Sequence, residues 1–266
     1  MNNVKHLMEK IKNTTCALCL LVLLSVALAA PAQTAHWITA DDPRCNEPNT
    51  WIQFCKAFTL KKKPKRGEAR IAADSKYWLW VNGRMAVFEG GLKRGPNPAD
   101  TYYDVVDLAP YLQKGQNDVR LLLCYFGKQG FSHVSSGQSG IIVHAPSIGL
   151  ATDASWQSQR LKAYQTCGEP YTNFRLAESN IRYEAPQSSM FNVQCSKFKV
   201  QSYKSSLEIG VWGSAPWGKL VKRPIPQWHD YGMKIATKVD TTIVAPSGAE
   251  GGGFGGFCGS LRKAAL

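Results

Sequence analysis

The strongest constraint on the fold is a short run, Tyr77-Trp-Leu-Trp-Val81, that stops at Asn82-Gly83. Successive side chains on a strand point to opposite faces, so the two tryptophans share one face and Tyr77, Leu79 and Val81 share the other. One of these faces has to be core. Asn-Gly tolerates positive φ in a tight turn, so Met85-Ala-Val-Phe88 is expected to pair back as a hairpin.

Two runs ahead of this one have the same character. Trp51-Ile-Gln-Phe-Cys-Lys-Ala-Phe58 alternates in part, and Ala69-Arg-Ile-Ala-Ala73 makes another strand, so the chain reads as a meander up to the hairpin. Between them lies Lys61-Lys-Lys-Pro-Lys-Arg66, read as a solvated hairpin loop rather than a nucleic-acid contact. Glu89-Gly-Gly-Leu-Lys-Arg-Gly-Pro-Asn-Pro98 excludes regular structure and predicts a long surface loop, a common seat of functional residues. Asp107-Leu-Ala-Pro-Tyr-Leu112 predicts one helical turn, with Asp107 as N-cap and Gly115 closing it.

Asp118 to Tyr125 and Gly140 to Ala145 are β-compatible, with a Ser/Gly-rich loop from Ser132 to Gly140 between them, and Ala154 to Tyr164 offers a further strand. Beyond about Thr166 the periodicity fades. Strands are expected near Ser179 to Glu184 and within Ser196 to Tyr203. Ser247 to Leu266 is glycine-rich without a core pattern, and is predicted to be disordered.

Lys5, Lys10 and Lys12, the apolar run Ala17 to Ala29 and the small residues Ala27-Leu28-Ala29 follow a secretory pattern, with cleavage expected before Ala30. The apolar run falls short of the roughly 20 residues that span a bilayer, so export to a periplasmic or secreted location is expected, with no stable membrane anchor. Loss of three lysines and Glu9 lowers the formal charge from +13 to +11. Such an excess attracts polyanions, but no nucleic-acid-binding fold is recognisable. Cys45, Cys55, Cys124, Cys167, Cys195 and Cys258 remain. They contain no C-x-x-C and no close histidine partner, so neither a zinc nor a thioredoxin-type site is indicated. Cys55 and Cys124 read as small core residues, and pairing of the others is open.

No catalytic constellation stands out. Glycoside hydrolysis generally takes two carboxyl groups across the scissile bond. Asp104 and Asp107 are the nearest approach to a pair, facing one loop, yet capping by Asp107 and a local hydrogen bond from Asp104 account for them. His133 lies near Ser132, Ser135 and Ser136 without a G-x-S-x-G elbow, and reads as part of a flexible polar loop. Gly251-Gly-Gly-Phe-Gly-Gly256 lacks the Lys-Ser/Thr of a phosphate loop. Neither a cofactor nor a metal site is indicated.

With these residues read, a resemblance becomes visible. Asp74-Ser-Lys-Tyr-Trp-Leu-Trp-Val-Asn-Gly83, Phe88-Glu-Gly-Gly-Leu-Lys-Arg-Gly-Pro-Asn-Pro98, Tyr102-Tyr-Asp104, Val106-Asp-Leu-Ala-Pro-Tyr-Leu112 and Ala215-Pro-Trp-Gly-Lys-Leu220 resemble the N-terminal, non-catalytic region of bacterial α-L-rhamnosidase-like glycoside hydrolases. The resemblance runs from about Trp37 to Pro246. It implies an all-β, galactose-binding-like β-sandwich of jelly-roll type over residues 30–246, with long loops and an irregular C-terminal extension, between a leader at 1–29 and a tail at 247–266. It also implies that the catalytic carboxylates belong to an α/α barrel, the missing partner of this chain. Ser247-Gly-Ala-Glu-Gly-Gly-Gly-Phe-Gly-Gly-Phe-Cys-Gly-Ser260 departs from what would lead there, as a frameshift or premature stop would produce.

The segment Ser188 to Gly210 departs as well, lacking the Asp- and Trp-containing phrase expected of the family. The activity implied is binding of a rhamnose-containing glycan, the alternatives being a structural remnant that once braced the barrel and binds no ligand, or an active glycoside hydrolase with an unrecognised site. Aromatic rings stack on the apolar faces of pyranoses while polar neighbours orient hydroxyls, which nominates Trp78, Trp80, Lys93, Arg94, Asn97, Tyr102 and Tyr103. For Trp78 and Trp80, burial against another domain is an equal alternative to sugar contact. Trp212, Trp217 and Trp228 read as packing residues.

Overall fold

In the computed structural model, residues 34–92, 95–130, 133–168, 180–184 and 203–228 are described. Strand β2 (Thr50–Leu60) pairs antiparallel with β7 (Gly115–Tyr125) along its whole length, from Thr50 opposite Tyr125 to Leu60 opposite Gly115. Ile52 and Phe54 on one face of β2 are fully buried with Leu121 and Leu123 of β7. Burial of each such side chain contributes about 1.5–3 kcal/mol, which fixes the inward face of this pair.

Around them one sheet runs β13 (Lys204–Ser205), β10 (Gln157–Arg160), β2, β7, β4 (Lys76–Val81), β5 (Arg84–Gly91). The other runs β14 (Leu207–Val211), β1 (His36–Thr39), β8 (Gly140–Ala145), β3 (Glu68–Asp74), β6 (Thr101–Asp107), β15 (Leu220–Lys222), with β9 (Leu150–Ala151) against β8. The β15–β6 ladder is parallel and the others described are antiparallel. A separate two-strand ladder joins β11 (Tyr164–Thr166) to β12 (Ile181–Tyr183). The fold is an all-β sandwich, as the sequence predicts.

The meander expected ahead of the hairpin is not formed. β2 and β4 belong to one sheet and β3 to the other, because each has a single apolar inner face and the faces close on one another: Ile71 and Ala73 of β3 share a core with Phe54, Tyr77, Leu79 and Val81. The run Lys61 to Arg66 therefore bridges the sheets instead of turning a hairpin, and five of its six residues are exposed. The β4–β5 hairpin is present as expected, with φ of 52° at Asn82 and 77° at Gly83.

Three local expectations are corrected. The turn after β6 is a 3-10 turn at Ala109–Tyr111, preceded by Leu108. Asp107 accepts from the amides of Gly67 at 2.9 Å and Ala109 at 3.0 Å, while Gly115, at φ 87°, opens β7 and closes no helix. The segment Glu89 to Pro98 is not loop throughout, since β5 continues to Gly91; a Cβ on Gly90 would stand 2.4 Å from the Tyr77 ring, so glycine lets the strand pass over it. Asp104 makes no merely local bond: its Oδ2 accepts from Tyr77 Oη at 2.9 Å and from the amide of Gly91 at 2.9 Å, and its Oδ1 lies 2.6 Å from Arg223 Nε.

The later strands are shorter than expected. β10 and β11 fall within or at the end of the Ala154 to Tyr164 run, and β12 falls within Ser179 to Glu184. Trp217 is fully buried and Trp212 half-buried, but Trp228 is 70% exposed, so packing does not account for it. Cys45, Cys55 and Cys124 are buried and Cys167 is exposed, with no disulfide among the described residues. The leader, Lys93, Arg94, Cys195, Cys258, the strand expected before Tyr203 and the glycine-rich tail lie outside the described residues.

Candidate functional site

Strand alternation settles the two faces of β4. Tyr77, Leu79 and Val81 are at most 1% exposed, and Trp78 and Trp80 stand half-buried on the outer face of the sheet. Trp78 stacks on Trp51 of β2 with ring centroids 5.4 Å apart, Trp51 stacks on Tyr164 of β11 at 4.2 Å, and Tyr164 meets Tyr183 of β12 at 4.9 Å. Four rings thus form a continuous row from one strand of the sheet onto the small ladder. Lys76 places its ammonium 5.2 Å from the Trp78 ring centroid, where the negative face of the indole attracts it.

Hydrogen bonds hold the ladder there. Leu161 donates its amide to the carbonyl of Trp51 at 2.8 Å, Asn49 Nδ2 donates to Thr166 Oγ1 at 2.6 Å, and the amide of Glu184 donates to the carbonyl of Ala163 at 2.9 Å. Between ladder and sheet lies a pocket of about 470 Å³, lined by Gln53, Gln159, Arg160, Leu161, Lys162, Tyr164, Tyr183 and Glu184 among others. Gln159 Oε1 and Arg160 Nε are buried there without a hydrogen-bond partner among the described residues. Burial, followed by the neighbouring Tyr183 and Cys124, pushes the Tyr164 phenol up to about 12. Aromatic walls beside an amide oxygen and a guanidinium N–H that lack hydrogen-bond partners among the described residues suit a ligand with an apolar face and hydroxyl edges.

Among the described residues, those nominated from sequence do not converge. Trp78 belongs to the ring row and Trp80 packs in the same outer cluster. Tyr102 and Tyr103 lie on β6 of the other sheet, where Tyr103 meets Trp212 edge-on at 5.3 Å. Asn97 is exposed and donates to Asp100 Oδ2 at 2.9 Å. Tyr164, Tyr183, Gln53, Gln159 and Arg160 were not nominated, because the register that sets Gln159 opposite Gln53 is not legible from either segment alone.

Two groups with catalytic residue types are tied into the fold by buried contacts. Asp104 is 2% exposed and held by Arg223, whereas Asp107, three residues on, lies at the surface, so the two do not face one loop. Asp104, through its charge and hydrogen bond, adds to burial in raising the Tyr77 phenol well above the usual tyrosine range. His133 lies in the loop between β7 and β8 but is only 2% exposed, with Nε2 3.3 Å from Ser75 Oγ and 3.7 Å from Asp74 Oδ1. Both partners meet the same ring nitrogen, and Ser75 is fully buried, so the geometry of a nucleophilic triad is not met.

No protein-family model and no curated protein matches the sequence. Solved structures do match. The sandwich is similar to one part of α-L-rhamnosidases. A GH78 family rhamnosidase of Bacillus sp. GL1 matches with a TM-score of 0.63 and 26% identity over 74% of this chain and 20% of that one. The α-L-rhamnosidase of Dictyoglumus thermophilum matches at 0.51 and 17% identity over 72% of this chain and 22% of its own, and that of Aspergillus terreus at 0.51 and 18% over 73% and 23%. The latter two speak to fold alone. The chain spans about a fifth of the length of these enzymes.

Proposed function

We propose that this chain is a non-catalytic carbohydrate-binding sandwich, equivalent to the N-terminal β domain of an α-L-rhamnosidase-like protein, and that it binds a rhamnose-containing glycan. The observation that carries this reading is the ring row Trp78, Trp51, Tyr164, Tyr183 ending in the 470 Å³ pocket with its unpaired amide oxygen and guanidinium nitrogen. A sugar ring stacks on Tyr183, 47% exposed, while Gln159 and Arg160 bond its hydroxyls. Trp78 and Trp80 extend the platform, and Asn97, Tyr102 and Tyr103 belong to a different surface. The burial and pairing of Asp104 argue against hydrolysis by the Asp104 and Asp107 pair. Export is part of the proposal, on the leader pattern from Lys5 to Ala29, and N-terminal sequencing of exported protein is expected to begin near Ala30.

Titration calorimetry of the protein with rhamnose-containing oligosaccharides, alongside hydrolysis of an aryl α-L-rhamnoside, tests the reading. Saturable binding without turnover supports it, and rhamnose release would overturn the non-catalytic part. A rival reading, a bracing domain without ligand, is favoured by the exposed apolar residues Ile225 and Trp228, at 65% and 70%. That rival requires no binding to any glycan.

A further inference from the structure

The cationic rim of the same pocket has a chemistry that neutral sugars do not use. A second pocket of about 300 Å³, lined in part by Asp41, Asp42, Ser158 and Lys204, adjoins the first, and Gln159, Arg160 and Lys162 line both. The carboxylates nearby already have partners. Glu47 is held by Arg44 at 2.8 Å, Asp41 by Lys204 at 2.9 Å and Glu184 by Arg182 at 3.0 Å, while Asp42 Oδ1 accepts from the amide of Arg44 at 2.8 Å. Arg160 reaches Glu47 only at 3.9 Å, and Lys162 forms no ion pair among the described residues.

We propose that Arg160 and Lys162 form a carboxylate subsite, so that the glycan taken by this groove is acidic, carrying a uronic acid beside the sugar stacked on Tyr183. This deepens the carbohydrate-binding reading and rests on it. A buried guanidinium N–H without an acceptor is costly, and a planar carboxylate matches the arginine fork better than a hydroxyl does. A sugar carboxylate spanning the two pockets meets Arg160 from inside and Lys162 from solvent. The net positive charge, +13 for the whole sequence and +11 without residues 1–29, draws such a ligand in from a distance.

The test compares two probes, an α-rhamnosyl disaccharide ending in glucuronate and its counterpart ending in glucose, which differ only where a carboxylate replaces a hydroxymethyl group. Titration of the full chain at low salt is expected to show the acidic probe binding about tenfold more tightly, the size of one charge-assisted hydrogen bond. Lys162→Gln is expected to remove most of that advantage and leave the neutral probe unchanged, Arg160→Gln to remove the advantage while also weakening the neutral probe, and Tyr183→Ala to weaken both probes. Lys162 is exposed, so its substitution tests the charge without touching the core. Equal affinity of the two probes overturns the carboxylate subsite and leaves the sugar reading standing. Absence of binding by either probe overturns both.

Discussion

The outer faces of the two sheets carry similar aromatic residues and come to opposite ends. On the face of β1 and β8, Trp37 stacks on Trp217 with centroids 4.1 Å apart, and both are fully buried because the chain returns over the sheet after β14. Gly140 and Gly210 make the slot, since a Cβ at either would come within 3.0 or 3.2 Å of the Trp217 ring. On the face of β2 and β4 the row starting at Trp78 ends at a half-exposed Tyr183 beside a pocket. Whether an aromatic ends buried or open is decided here by where the chain returns, not by residue type.

The covered face tolerates a cost that an open one would not incur. The indole N–H groups of Trp37 and Trp217 are buried without a hydrogen-bond partner among the described residues. An unmet donor costs about 1–3 kcal/mol. Burying an indole of about 200 Å² returns about 5 kcal/mol, so packing wins. Trp217→Ala is therefore expected to lower unfolding free energy by about 3–5 kcal/mol in a denaturant titration. A loss below about 1 kcal/mol would break the contrast, because it would mean the returning segment is not part of the cooperative core.

The buried ion pair gives an effect of the same order by a different route. Asp104→Ala leaves Arg223, whose side chain is 10% exposed, without its carboxylate, and also unpairs the amide of Gly91. Breaking such a pair from one side typically costs about 3–5 kcal/mol. Adding Arg223→Met to that variant is expected to recover part of the loss, since the stranded charge is then gone. If the double variant is less stable than Asp104→Ala, the pair is not what fastens β15 to β6.

Alkaline stability separates the interior from the open face more finely. The Tyr77 phenol is raised by burial first and then by Asp104, and the Tyr164 phenol is pushed up to about 12. Unfolded tyrosine ionises near about 10. Below that pH both states keep the proton and the contribution of each group is fully present; as pH rises through and beyond about 10 the unfolded chain ionises first, and stability falls until the folded phenol also ionises. For Tyr164 that window runs from 10.0 to about 12. Denaturant midpoints measured across it are expected to fall, and to fall less steeply in Tyr77→Phe. An unchanged slope would show that Tyr77 can reach water.

How much of this was legible beforehand follows from the range of the interactions. The hairpin at Asn82-Gly83 and the two faces of β4 depend on neighbours in sequence, and both are as expected. The assignment of β3 to the opposite sheet, the reach of Asp104 to Arg223 and the burial of His133 depend on contacts between distant segments, and local pattern misreads all three. The candidate site divides the same way. Trp78 was visible as an outward aromatic, but Tyr183 sits in a stretch with no periodicity and acquires its place only through pairing with Tyr164.

The smallest effect on stability belongs to a residue whose expected effect is on binding. Tyr183 is 47% exposed and touches the row at its outer end, 4.9 Å from Tyr164. Its replacement by alanine removes little buried surface, so unfolding free energy is expected to change by no more than about 0.5 kcal/mol. Loss of a stacking ring is expected to weaken a bound sugar by about 1 kcal/mol, roughly a fivefold change read by titration calorimetry. The Trp217 variant reverses that pattern, with a large loss of stability and no change in affinity for the fraction that remains folded. If Tyr183→Ala binds every glycan as the native protein does, the open face is not the sugar platform, and its exposure calls for a protein neighbour instead.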